Sequence, residues 1–127
     1  MNLMPIAKLL HEKGVGKMEQ SIYINMIPAS ATNGILLRNP LAGTKIDYEM
    51  QGYINTEFQV IVRASNYPAG EALMQKVFKA LTLDKTSFHG LNVTVCYPTF
   101  EPVVYPLSDG NLLEFSTDFR IVGSEVR

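Results

Sequence analysis

Residues 54–64 read INTEFQVIVRA, and residues 69–81 read AGEALMQKVFKAL. In the first stretch the apolar side chains fall mainly at even positions, which is the two-residue period of a strand with one buried face. In the second stretch Leu73, Val77 and Leu81 recur at helical spacing and form one apolar stripe. We therefore expect an amphipathic strand whose buried face is covered by the amphipathic helix that follows it.

The junction between this strand and this helix lacks the residues that carry chemistry in many α/β enzymes. It contains no glycine-rich phosphate loop, no pair of histidines and no exposed nucleophile. The pattern is therefore typical of a small scaffold, and it predicts no reaction.

The remaining elements follow from shorter patterns along the chain. They are a helix at residues 2–13, a second helix that extends over residues 67–83, and strands at residues 21–27, 35–37, 91–97, 103–105 and 112–122. Pro98, Pro102 and Pro106 restrict residues 103–105 to an edge strand or an extended segment, because proline cannot donate to a strand ladder. The sum is an α+β two-layer sandwich, with two helices packed on one face of a mostly antiparallel sheet of five or six strands.

The segment between residues 38 and 52 has a different character. Turn signals at residues 39–40 and 42–43 precede residues 45–50, where apolar and polar side chains alternate. We expect a β-hairpin arm that projects from the main sheet. Asp47 and Glu49 share one face of this arm, where a solvated face or an inter-subunit salt bridge is favoured over a catalytic pair, because a catalytic pair needs burial.

Composition limits the possible partners. The 127 residues fit one domain, 1–127, and the formal net charge is -1 from 11 Lys+Arg and 12 Asp+Glu. Tight nucleic-acid binding needs clustered cations, and the chain has no basic run. The single Cys96 cannot form an internal disulfide, and no segment has the roughly 20 consecutive apolar residues that span a bilayer. We expect a soluble, unexported protein of a reducing compartment, with no membrane partner.

Candidate catalytic and metal-binding residues are few. His11 and His89 fall in different predicted elements, and no Cys or carboxylate cluster surrounds both, whereas a zinc site needs three or four converging ligands. Strict alternation places Cys96 on the face opposite residues 91, 93 and 95, where we expect an ordinary small side chain. We therefore predict no catalytic residue, no cofactor and no metal.

Three phrases occur in a fixed order: GILLRNPLAG at residues 34–43, FQVIVR at residues 58–63 and YPAGEAL at residues 67–73. With the N-terminal helix and the closing strand at residues 112–122, this order resembles a family of small phage virion proteins, the minor capsid or tail terminator proteins of long-tailed phages. The resemblance implies a structural protein without catalysis. It implies a hexameric ring that caps the tail tube, stops its polymerisation and presents a surface for joining the head.

The resemblance also implies the partners and the location. The partners are further copies of the chain, the tail tube protein and a neck or head-closure protein, and DNA passes through the ring without specific binding. The location is the tail–neck junction of the virion, after assembly in the host cytoplasm. A near-neutral chain suits a channel through which DNA slides.

A ring needs one patch on each subunit that meets a different patch on the next. The predicted arm could supply such a patch, with charged side chains fixing the register and an aromatic one giving apolar contact. Glu57 and Arg63 lie on the polar face of the central strand, which is open either to solvent or to another subunit. The interface candidates are Arg38, Lys45, Asp47, Tyr48, Glu49, Glu57 and Arg63.

Two alternatives remain open on the sequence. One is another neck component, such as a head-closure protein, which has the same physical requirements. The other is a small cytosolic enzyme or ligand-binding domain with a pocket between helix and sheet, which would need polar residues converging in the core.

Overall fold

The computed structural model describes residues 1–18, 20–40, 43, 49–107 and 111–125. Within these residues two helices and seven strands follow one another and confirm the α+β class. They are α1 (Met4–Glu12), β1 (Ile22–Ile24), β2 (Gly34–Arg38), β3 (Tyr53–Ala64), α2 (Tyr67–Leu81), β4 (Leu83–Phe88), β5 (Leu91–Pro98), β6 (Val103–Pro106) and β7 (Leu113–Glu125). The predicted arm at residues 45–50 falls mostly outside the described residues, and so do the interface candidates Lys45, Asp47 and Tyr48.

The two long strands form the centre of the sheet. β3 and β7 pair in antiparallel fashion from Tyr53 opposite Ser124 to Ala64 opposite Leu113. The strand order is β1-β2-β3-β7-β5-β4, and β6 pairs with β7 beyond the end of β5. β1 runs parallel to β2, and the other strand pairs among the described residues are antiparallel.

The hydrophobic core lies on the sheet face that carries Phe58 and Phe119, which we call the inner face. These two rings stack across β3 and β7 with centroids 5.6 Å apart. Phe78 of α2 meets Phe119 edge-on at 5.7 Å, so α2 covers the inner face. Val77 and Leu81 of the predicted helical stripe belong to the same buried core as the even-numbered residues 54, 58, 60 and 62 of β3.

Helix α2 begins where local signals place it. The side chain of Asn66 accepts a hydrogen bond from the backbone N–H of Ala69 at 2.9 Å, and Pro68 stands in the first turn. A Cβ at Gly70 would collide with the ring of Phe115, so glycine allows this end of α2 to approach the sheet closely.

Several predicted boundaries are wrong. Helix α2 ends at Leu81 instead of residue 83, because the chain turns at once into β4, a strand that the sequence pattern misses. In β4 the residue Lys85 adopts φ 47 and is skipped in the pairing with β5, which breaks the two-residue period along this mostly polar strand. Strand β1 ends at Ile24, well before Pro28, because Asn25 adopts φ 64.

The predicted orientation of Cys96 is also wrong. A register shift between Val93 and Val95 breaks the alternation along β5, so Cys96 lies on the buried side with Leu91 and Val93. Its side chain is fully buried in the core, and burial raises the pKa of the thiol to about 12. A thiol with such a pKa is a packing group and an inert nucleophile at neutral pH.

Candidate functional site

The sheet face opposite the helix, the outer face, carries polar side chains in cross-strand pairs. Glu57 of β3 stands opposite Arg120 of β7, and Gln59 stands opposite Asp118. These pairs follow from two strands that both place polar residues at every second position. The outer face therefore carries a buried ion pair and an open charged cleft, and an apolar edge at β6 borders both faces of the sheet.

The buried ion pair joins Arg63 and Glu114. Both Nε and Nη2 of Arg63 donate to Oε2 of Glu114, at 3.1 and 3.0 Å, and the two side chains are only 10% and 11% exposed. Nη1 of Arg63 donates to the carbonyls of Pro28 and Ala31 at 3.0 and 3.1 Å. Residues 28–31 thus lie over this end of the outer face, and the guanidinium of Arg63 is bound within its own chain.

Tyr105 of β6 extends this arrangement to the sheet edge, since it stands opposite Glu114 in the ladder. Burial raises the pKa of Tyr105, and the negative charge of Glu114 raises it further, against an opposing effect of Arg38. The phenol of Tyr105 therefore stays neutral at physiological pH and can serve as a contact surface.

The charged cleft has a volume of about 330 Å³ and is lined by Arg38, Glu57, Gln59 and Asp118 together with residues 39, 40 and 58. Nε of Arg38 is buried and has no hydrogen-bond partner among the described residues. Burial raises the pKa of Asp118, and the charge of Glu57 adds to that shift. The cleft therefore holds charges that are only partly satisfied, which is a suitable surface for a partner that supplies the missing counter-charges.

The apolar edge surrounds β6. Val103 is 56% exposed, and the neighbouring large side chains at positions 67, 100, 104 and 105 are exposed as well. An open groove of about 410 Å³ separates α2 from β6, and Glu71 and Glu101 are its charged lining residues. The prolines in the sequence predict an edge strand here, but only the structure shows that its side chains form an apolar surface.

The interface candidates separate into four groups. Arg38 and Glu57 line the same cleft, whereas Arg63 lies apart in the buried ion pair. Glu49 is exposed in the turn before β3, and the remaining three candidates lie outside the described residues. The sequence gives no sign of Glu114 or Tyr105, whose roles depend on strand register.

The two histidines link neighbouring segments. Nδ1 of His11 accepts a hydrogen bond from the backbone N–H of Met18 at 3.2 Å, and Nε2 of His89 lies 2.5 Å from Oε1 of Glu12. In the parts of the chain that the structure describes, no three His, Cys, Asp or Glu side chains are grouped so that they could hold a metal ion. Among the same residues, no helix has the length and apolar character to cross a membrane.

Comparisons with known proteins identify the class to which this chain belongs. The family model of the bacteriophage tail terminator protein matches residues 9–125. The chain therefore belongs to the bacteriophage tail terminator family, a family of phage structural proteins, and the predicted family is confirmed. No match was found among curated proteins.

A solved structure described as the virion of a native gene transfer agent (GTA) particle contains a similar chain. The TM-score is 0.61 at 10% sequence identity, and the alignment covers 94% of this chain and 95% of that one. At such low identity the similarity shows the fold. Together with the family match, it supports a structural, virion-associated role.

Proposed function

We propose that this protein is the terminator at the head-proximal end of a phage tail. Copies of the chain form a hexameric ring that caps the tail tube, stops its polymerisation and offers the surface to which the head is joined. The observation that carries this proposal is the match of the tail terminator family to residues 9–125. Assembly takes place in the host cytoplasm, and the ring then resides at the tail–neck junction.

In this proposal the chain is a single domain with two layers. The helices form one layer on the inner face, and the outer face and the sheet edges are left to neighbours. Arg38 and Glu57 contribute to the subunit interface from the charged cleft, because partly buried charges gain from a partner of opposite sign. Lys45, Asp47, Tyr48 and Glu49 belong to the arm that reaches a neighbour.

Arg63 has a different part in the same proposal. Its guanidinium is occupied by Glu114 and by two carbonyls, so it supports the interface by holding residues 28–31 in place. The protein acts without catalysis, and its further partners are the tube protein and a neck or head-closure protein. DNA passes through the ring without specific binding, in keeping with a formal net charge of -1.

The test is electron microscopy of phage particles made without this protein. The proposal predicts overlong tubes that carry no heads, because nothing stops the addition of tube subunits. Supplying the intact protein from a plasmid restores normal length and is the matched control. Tubes of normal length that fail to join heads would contradict the terminator role and indicate a head-closure component instead.

A further inference from the structure

We infer that the apolar surface around β6 docks the β1 edge of a second copy of this chain, so that the ring closes through β6-to-β1 contacts. This inference rests on the proposed function, since it assigns two surfaces to the proposed ring. The β6 patch consists of Tyr67, Phe100, Val103, Val104 and Tyr105. The β1 edge consists of β1 and its exposed flanking residues Lys17, Gln20 and Met26.

The β6 patch is an unusual surface for an isolated subunit. Its large apolar side chains lie at one edge of the sheet, with Val103 and Tyr105 on the outer face and Val104 on the helix side, and exposed apolar side chains grouped at an edge in this way mark a contact site. Among the described strands only β7 pairs with β6, so no described strand occupies the other side of β6. The patch therefore faces outward from the subunit.

Docking at β6 takes place through side chains. The N–H of Leu107 donates to the carbonyl of Leu112 at 2.9 Å, and hydrogen-bonded pairs alternate along an antiparallel ladder. Val104 and Pro106 consequently direct their backbone groups to the free side, where Pro106 has no N–H to offer. Such an edge disfavours the addition of another strand and leaves the apolar side chains as the contact surface.

The groove beside β6 gives the patch a negative rim. Glu71 and Glu101 are its charged lining residues, and none of the described residues that line it is a lysine or an arginine. A partner that fits this groove combines apolar side chains with a cation.

The β1 edge offers that combination on the opposite flank. The carbonyl of Lys17 accepts hydrogen bonds from the backbone N–H groups of Ser21 and Ile22, at 2.9 and 3.0 Å, which places exposed Lys17 at the start of β1. Met26, just after β1, is 76% exposed. A cation and a large apolar side chain thus flank this edge, complementary to the groove.

The strand register sets the two surfaces at opposite ends of one row. The row runs across the sheet through Ile22, Ile35, Val62, Phe115 and Val104. Four inter-strand spacings place its ends roughly 19 Å apart. A closed ring joins one flank of each subunit to the other flank of the next, and these edges satisfy that requirement.

The other free edge of the sheet is less suited to docking. β4 exposes Asp84 and Ser87 and is interrupted by Lys85 at φ 47, and charged residues and bulges are the usual protection of an edge strand. Position 87 on β4 therefore serves as the control position.

Cysteine cross-linking tests the inference. The double variant Lys17→Cys/Glu101→Cys is treated with a short bismaleimide, both as purified protein and in assembled tails, so that a ring that forms only on the tube is also sampled. We expect a ladder of covalent oligomers that ends at the ring size. Each single variant should stay monomeric on a denaturing gel, because a heterologous contact never places a residue against its own copy.

The control pair is Lys17→Cys/Ser87→Cys, which should give no ladder, and native Cys96 is buried and should not react. A hexamer by native mass spectrometry without a ladder would overturn the inference and leave the proposed function intact. A cross-linked dimer from a single variant, or a cross-link from position 101 to the tube protein, would overturn it as well. Failure of the proposed function would instead appear as normal tails in particles that lack the protein.

Discussion

At the scale of single residues, the ion pair between Arg63 and Glu114 connects distant parts of the chain. It joins β3 to β7, and through the carbonyls of Pro28 and Ala31 it holds the segment before β2 over the outer face. A buried charge that loses its partner is strongly destabilising, whereas an exposed pair contributes little. The two kinds of pair occur side by side on this sheet and can be compared directly.

We expect Arg63→Ala to lower the free energy of unfolding by about 3–5 kcal/mol, because the carboxylate of Glu114 stays buried and unpaired. Urea denaturation followed by circular dichroism measures the change. Arg120→Ala is the control, since Arg120 lies 4.0 Å from Glu57 in a largely exposed pair, and its expected cost is about 0–1 kcal/mol. Equal losses in the two variants would show that the buried pair has no special role.

The pKa of Asp118 is raised by burial and then by the charge of Glu57. The folded state therefore holds its proton to higher pH than the unfolded state, and stability falls as the pH rises from the ordinary pKa of 3.8 through the folded pKa. We expect Asp118→Asn to raise the denaturation midpoint at neutral pH and to have no such effect well below the ordinary pKa. The matched control is Gln59→Asn, which removes no titratable group, so its change in midpoint relative to the wild type should be the same at both pH values. A change for Asp118→Asn that is equal at both pH values would contradict the explanation.

At the scale of elements, the packing of α2 on the sheet depends on Gly70. We expect Gly70→Ala to destabilise the protein by about 1–3 kcal/mol, because the added methyl group overlaps the ring of Phe115 and outweighs the gain in helix propensity. Thermal unfolding measures the loss. Phe115→Leu in the same chain removes the overlap, so the double variant should lose less than the sum of the two single variants. Additive losses would show that the helix does not approach the ring as described.

Regular elements are predictable here where local signals and periodicity agree. Asn66 and Pro68 fix the start of α2, and the alternation along residues 54–64 matches the buried face of β3. Strand β4 and the orientation of Cys96 are not predictable from the pattern. Each depends on an irregularity in the strand ladder, at Lys85 in β4 and between Val93 and Val95 in β5. A single bulge moves every following side chain to the other face.

The candidate site is less predictable than the fold. The alternation correctly places Glu57 and Arg63 on one polar face, but it does not show that residues 28–31 cover Arg63 and leave Glu57 open. Contacts between residues far apart in the chain decide that difference. The prolines around β6 indicate an edge, whereas the apolar character of the patch depends on side-chain exposure.

At the scale of the whole molecule, the outer face and the two flanks of the sheet carry different surfaces. The buried ion pair of Arg63 and Glu114 fixes one end of the outer face, and the charged cleft lies beside it. The β6 patch and the β1 edge lie on opposite flanks of the sheet. In the proposed ring, such a subunit joins its neighbours through these flanks, and the charged cleft adds to the same subunit interface. Under the proposed terminator function, the number of rings that a tail accepts depends on the number of its ends and not on its length.

This leads to a quantitative prediction for capping. Purified protein added to preformed tubes should saturate at an amount proportional to the number of tube ends, so sheared tubes of equal total mass bind more. Sedimentation of labelled protein with the tubes measures the amount. Val103→Asp should abolish capping, because it places an unpaired charge in the β6-to-β1 contact, while its unfolding midpoint stays unchanged at an exposed position. The control Ser87→Asp should cap normally, and binding that scales with tube length instead of with ends would contradict a terminator.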